Sequence, residues 1–107
     1  MSKNYQIIFY VPLEHCEVVK EAMFTAGAGQ IGNYEACSFQ TKGQGQFRPI
    51  KEANPFLGEK DKLEKVAEYK VEMLCVAEKL ESAVKAMKNT HPYEEVAYGV
   101  FEMKSSL

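Results

Sequence analysis

From Leu63 to Val76 the chain alternates with a period of two, and few folds accommodate that pattern. Ala67, Tyr69, Val71, Met73 and Cys75 fall on one side, while Glu68, Lys70 and Glu72 fall on the other. Successive side chains of an extended strand point to opposite faces, so this segment is a strand buried on one face only. Such a strand needs sheet neighbours, and the remaining sequence supplies them. Tyr5 to Val11 is rich in β-branched and aromatic residues and is stopped by Pro12. Further strands are predicted from about Asn33 to Thr41 and from Val96 to Met103. Glu14 to Ala26 places Val18, Val19, Ala22, Met23 and Ala26 on one helical face, with Gly27 as its C-cap. Glu78 to Asn89 does the same with Leu80, Val84 and Met87. The order β-α-β-β-α-β is the split βαβ arrangement of a ferredoxin-like α+β two-layer sandwich. Lys42 to Lys62, with Gly43, Gly45, Pro49, Pro55 and Gly58, is predicted as a long loop carrying a short extended arm around Phe47.

With 107 residues the chain has material for one domain with a modest core, covering 1–107. A net charge of −2 gives no concentrated basic face, which argues against nucleic acid and anionic membrane as partners. The longest apolar runs are of strand length, and the first residues pass into a strand pattern without a signal-peptide core. Cys16, Cys37 and Cys75 make an odd count without a Cys-x-x-Cys pair. Reduced thiols in the cytoplasm fit that usage; a disulfide framework or structural zinc site does not.

Topology brings distant residues together. With this strand order, three junctions share one edge of the sheet: the turn holding His15 and Cys16, the long loop, and Thr90-His91-Pro92-Tyr93-Glu94-Glu95. Pro92 bars His91 from helical geometry and fixes it in an extended or turn conformation. His91 is therefore either a joint of the fold or a corner of a binding site. The candidate ligand- or partner-binding residues are His15, Gly43, Gly45, Phe47, His91, Tyr93, Glu94 and Glu95.

Each motif has a plainer alternative. Gly27-Ala28-Gly29-Gln30-Ile31-Gly32 has dinucleotide-turn spacing, but it follows a helix and leads into a strand, the reverse of what that site needs. Gly43-Gln44-Gly45 is either an anion-cradling backbone nest or a flexible hairpin tip. His15, His91 and Glu95, helped by Cys16 or Glu94, form a candidate divalent-metal set; the alternative is two imidazoles ordering turns. A His15-Cys16 nucleophile pair lacks oxyanion donors. Strand three lacks the glycine–aromatic core of RNA-binding sheets.

Val11-Pro12 with His15, then Ala26 to Tyr34, then Cys37-Ser38-Phe39 resemble the insert domain of the Nif-three-like proteins. That family is also labelled GTP cyclohydrolase I type 2 homologs, or dimetal-binding YqfO. Gly43-x-Gly45-x-Phe47-x-Pro49, Ala53 to Gly58 and His91 to Glu95 continue the match. The resemblance implies a free-standing copy of that insert, with a fold similar to CutA and PII proteins. It also implies that the family's dimetal site belongs to flanking domains, so neither a catalytic residue nor the dimetal label is carried over. PII-like relatives are trimers whose loop between strands two and three reaches partners; here that loop is Lys42 to Lys62. Glu52, Val96 and Gly99 depart from the family pattern.

Three readings follow. The first is a small cytosolic PII/CutA-like regulatory or ligand- or partner-binding domain, acting as a homo-oligomer. The second is a divalent-metal-binding protein, or an accessory to a metal-dependent hydrolase, with its site at the His15/His91 rim. The third is an adaptor docking through the long loop. Strands one and four are apolar on both faces, which predicts a covering partner and, with the resemblance, a homotrimer.

Overall fold

The computed structural model describes Lys3 to Lys104. Along the chain come β1 (Asn4–Pro12), a 3₁₀ turn (Leu13–His15), α1 (Cys16–Thr25), β2 (Phe39–Phe47), β3 (Glu64–Val76), α2 (Ala77–Thr90) and β4 (Tyr98–Met103). The strands form one antiparallel sheet in the order β2-β3-β1-β4. This is the ferredoxin-like α+β arrangement predicted from the element order.

The period-two pattern of β3 determines what lies beneath the helices. Val71, Met73 and Cys75 are buried opposite Phe9, Ile7 and Tyr5 of β1, and Val11 extends the same face. Val19 and Met23 of α1 and Ala83 and Met87 of α2 close over them. Each fully buried large side chain contributes about 1.5–3 kcal/mol relative to exposure, so this layer carries most of the fold's stability. Among the described residues no helix is long and apolar enough to cross a membrane.

Gly27 ends α1 as predicted. Its φ is 111°, and Gly27 N–H and Ala28 N–H donate to the carbonyls of Phe24 and Met23, closing the last turn. A Cβ at Gly27 would also press on the Lys79 side chain of α2. The glycine-rich segment is thus a helix stop, not a nucleotide turn. The predicted α1 face is corrected at Val18, which is 54% exposed, whereas Cys16 is buried in the core.

The largest correction concerns β2. The sequence predicts a strand at about 33–41 followed by a loop from 42, but the strand is Phe39–Phe47. Residues 42–47 are therefore paired with β3, and the connecting loop runs over 48–63. Pairing with β3, not intrinsic propensity, holds this glutamine- and glycine-rich edge strand. The last strand begins at Tyr98, two residues later than predicted, while Val96 packs against the core.

Candidate functional site at the sheet rim

The predicted convergence is present. The 3₁₀ turn after β1, the 48–63 loop and the segment after α2 meet at one end of the sheet. His91 ends α2 in an extended conformation (φ −72°, ψ 138°), as the following proline requires, and its N–H still donates to the Met87 carbonyl.

The His91 side chain is a joint. Tyr93 N–H, which can only donate, lies 3.1 Å from Nδ1, so Nδ1 is an acceptor. The ring proton is therefore on Nε2, which donates to the Tyr10 carbonyl at 2.7 Å. The imidazole links the turn after α2 to β1 with both nitrogens committed. Burial is the main cause holding its pKa below the ordinary value, and the His15 charge acts in the same direction. The Tyr10 carbonyl and Glu68 oppose these effects without overcoming them.

Tyr93 sits over the open face of the sheet. Its hydroxyl donates to Glu68 Oε2 at 2.9 Å. Burial, then the bond to Glu68 and the charges of Glu68 and Glu64, push its ionisation well above the usual tyrosine range. Phe47 and Phe56 flank its ring at 5.9 and 6.5 Å, and His15 meets Phe56 edge-on at 5.3 Å. The 48–63 loop is folded back onto this cluster, tied by Asn54 N–H donating to Glu94 Oε2 at 2.8 Å.

Between the loop, β2 and the 93–97 segment lies an open cleft of about 780 Å³. Gly43, Gly45, Phe47, Tyr93, Glu94 and Glu95 all line it. Six of the eight predicted site residues thus share one cavity. His91 supports it from behind through Tyr93, and His15 through Phe56.

Two sequence expectations change here. Gly43 and Gly45 are not an anion nest: they lie in β2 opposite Glu68 and Val66, and neither has the positive φ of such a turn. Gly45 instead makes room for a side chain, because a Cβ there would collide with the Glu68 carboxylate. The metal set of His15, His91 and Glu95 is not assembled. Both His91 nitrogens are occupied, and among the described residues no group of three or more His, Cys, Asp or Glu side chains is placed to hold a metal ion. Cys16 is equally unsuited to nucleophilic work, since burial raises its thiol pKa and Sγ faces Gln40.

Sequence reasoning missed Glu68 and Tyr10, both of which line the cleft. The signal available for Glu68 was Gly45 itself, since glycine inside a strand marks a close approach.

Known proteins share this sequence and this fold. The GTP cyclohydrolase 1 type 2 homolog of Halalkalibacterium halodurans is 42% identical over 99 residues, which cover 92% of this chain and 27% of the relative. The Bacillus cereus protein related to NIF3 matches with a TM-score of 0.81 at 38% identity, over 97% of this chain and 26% of that one. The chain is a homologue of one part of the NIF3-like proteins. It spans about a quarter of the length of the curated NIF3-like relatives it matches. The periplasmic divalent cation tolerance protein CutA from Archaeoglobus fulgidus shares the fold, with a TM-score of 0.68 at 18% identity, over 97% of this chain and 87% of that protein. No family model matches the sequence.

Proposed function

We propose that this NIF3-like, CutA-like chain is a small regulatory or ligand-binding domain of the cytoplasm that works as a homotrimer, with the rim cleft as its site. The observation that carries this reading is the cleft. Its volume lies within the roughly 300–1,000 Å³ usual for small-molecule sites, and its walls set the rings of Tyr10, Phe47, Phe56 and Tyr93 among charged side chains of both signs. The supports behind it, His91 to the Tyr10 carbonyl and Tyr93 to Glu68, fix its shape before any ligand arrives. The folded-back 48–63 loop is the wall best placed to respond to a ligand or to a protein partner. A nucleotide-hydrolysing activity is no part of the proposal, because the matched segment is only about a quarter of the relatives that carry that name.

A thermal-shift screen with a small-molecule library, repeated on Phe47→Ala, tests this reading. A ligand that raises the melting temperature of the parent and not of the variant supports it, since binding to the native state stabilises by mass action. If every hit acts equally on Phe47→Ala, the cleft is not the site.

A second reading is divalent-metal binding, favoured by the CutA relative's name as a divalent cation tolerance protein. The committed His91 nitrogens oppose it. Zinc and copper titration decides: tight binding lost in His91→Ala would reinstate it.

A further inference from the structure

We infer that the rim end of the cleft takes an alkylated ammonium group, held between aromatic rings and carboxylates that have no cation of their own. The inference rests on reading the cleft as a ligand site and specifies its chemistry. Phe47 and Phe56 flank Tyr93 with their rings tilted to it by 60° and 48°, so the three are not a flat stack, and all three line the cleft. Ring faces carry negative partial charge, and a weakly hydrated organic cation is the ligand that several converging rings select. Glu68, Glu94 and Glu95 line the same cavity. The ion pairs among the described residues are Lys3–Glu102, Lys20–Glu17, Lys62–Glu59 and Lys85–Glu81, and none involves these three carboxylates. Glu68 and Glu94 already accept one hydrogen bond each, from the Tyr93 hydroxyl and the Asn54 backbone. These contacts orient the carboxylates without neutralising them.

The basic residues of the cleft refine the ligand class. Lys42 pairs with Tyr69, which packs on the core, so its register turns it toward the helix layer. Arg48 follows β2 directly, at the loop wall. Lys70 lies on the open face opposite Tyr10 and Thr41, two residues along β3 from Glu68, or roughly 7 Å. A second positive charge on the ligand would meet Lys70. The fitting ligand therefore carries one ammonium group with a neutral or anionic tail, and a polyamine does not fit.

The test titrates the whole chain with choline and with 3,3-dimethyl-1-butanol, its uncharged carbon isostere, following amide and aromatic signals by NMR. Saturable choline shifts centred on Phe47, Phe56 and Tyr93 are expected, with the isostere about three- to fivefold weaker. Glu95→Gln and Glu68→Gln should weaken choline and leave the isostere unchanged. Glu95 is exposed, and glutamine at 68 keeps an acceptor for Tyr93, so both variants should fold, as unchanged melting would verify. Equal affinity for choline and isostere overturns the cation assignment while the cleft stands as a site. Absence of choline binding also overturns it, and the library screen then judges the cleft independently.

Discussion

The Tyr93 hydroxyl bonds to Glu68 Oε2 at 2.9 Å, fastening the turn after α2 to the open face of β3. Glu68 can reach it because the strand beside β3 carries Gly45, where any Cβ would meet the carboxylate. One glycine on an edge strand therefore determines whether a tyrosine 48 positions away, at the far end of α2, has a partner. Because ionisation of Tyr93 is displaced far upward, the phenol remains a donor throughout the physiological range.

Tyr93→Phe removes that bond and should destabilise the chain by about 1 kcal/mol, below the value for a fully buried charged partner because both residues are half-buried. Gly45→Ala should disturb the same contact from the other side. In the Tyr93→Phe background, Gly45→Ala should be less damaging, since Glu68, released from Tyr93, can swing aside without losing a bond and alanine favours the strand over glycine by roughly 0.5–1 kcal/mol. Urea midpoints of the four proteins in this cycle measure the coupling. Strict additivity would mean that Gly45 does not act through Glu68.

His91 should make stability fall on acidification. Its folded pKa lies below the ordinary 6.5, so the unfolded chain binds the proton first. The contribution is fully present above about pH 6.5, declines as pH falls through that value, and levels off below the folded pKa. Protonation must also place a hydrogen on Nδ1, where Tyr93 N–H already points. Denaturant unfolding from pH 7.5 to 5, compared with His91→Gln, isolates this slope. A parent and variant with the same pH dependence would show that His91 is not held neutral.

Most of the architecture can be read directly from side-chain periodicity. β1, β3, α1 and α2 bury one face each, so their patterns are strong, and His91-Pro92 marks the end of α2 without ambiguity. β2 was not legible, because Gln40, Lys42, Gln44 and Gln46 alternate with residues that are mostly exposed, and no buried face imposes a period. Its register is set by pairing with β3, a long-range fact. The site is legible to the same degree. Topology gathers the rim residues, but the tautomer of His91 and the Glu68–Tyr93 bond depend on backbone positions that no short motif records.

Phe56 should hold the 48–63 loop against the rim. Its ring touches His15 and Tyr93, and no regular ladder secures the loop between β2 and β3. Phe56→Ala should reduce global stability by less than about 1.5 kcal/mol while markedly accelerating amide exchange across 48–63. Hydrogen-exchange mass spectrometry separates the two effects. Unchanged exchange in the loop would show that the Asn54–Glu94 and Asp61–Pro49 contacts are sufficient alone.

Assembly gives the broadest prediction. The helices cover one sheet face; the other presents Ile8 and Tyr10 from β1, Phe39 from β2, and Phe101 and Met103 from β4. Phe39 is 67% exposed and Phe101 53%, and such a concentration of large apolar side chains is uncommon on a soluble monomer. Glu68, Lys70 and Glu72 interrupt the patch along β3, and Glu72 is engaged by Gln6. A covering copy of the same chain accounts for the apolar strands, and the homotrimer is the proposed closure. Light scattering at micromolar concentration should return three times the monomer mass, and Phe101→Glu, which places a charge on the apolar face at the β4 edge, should shift it downward. A monomer mass for the parent chain would eliminate the trimer, and the apolar face would then require a partner of another kind.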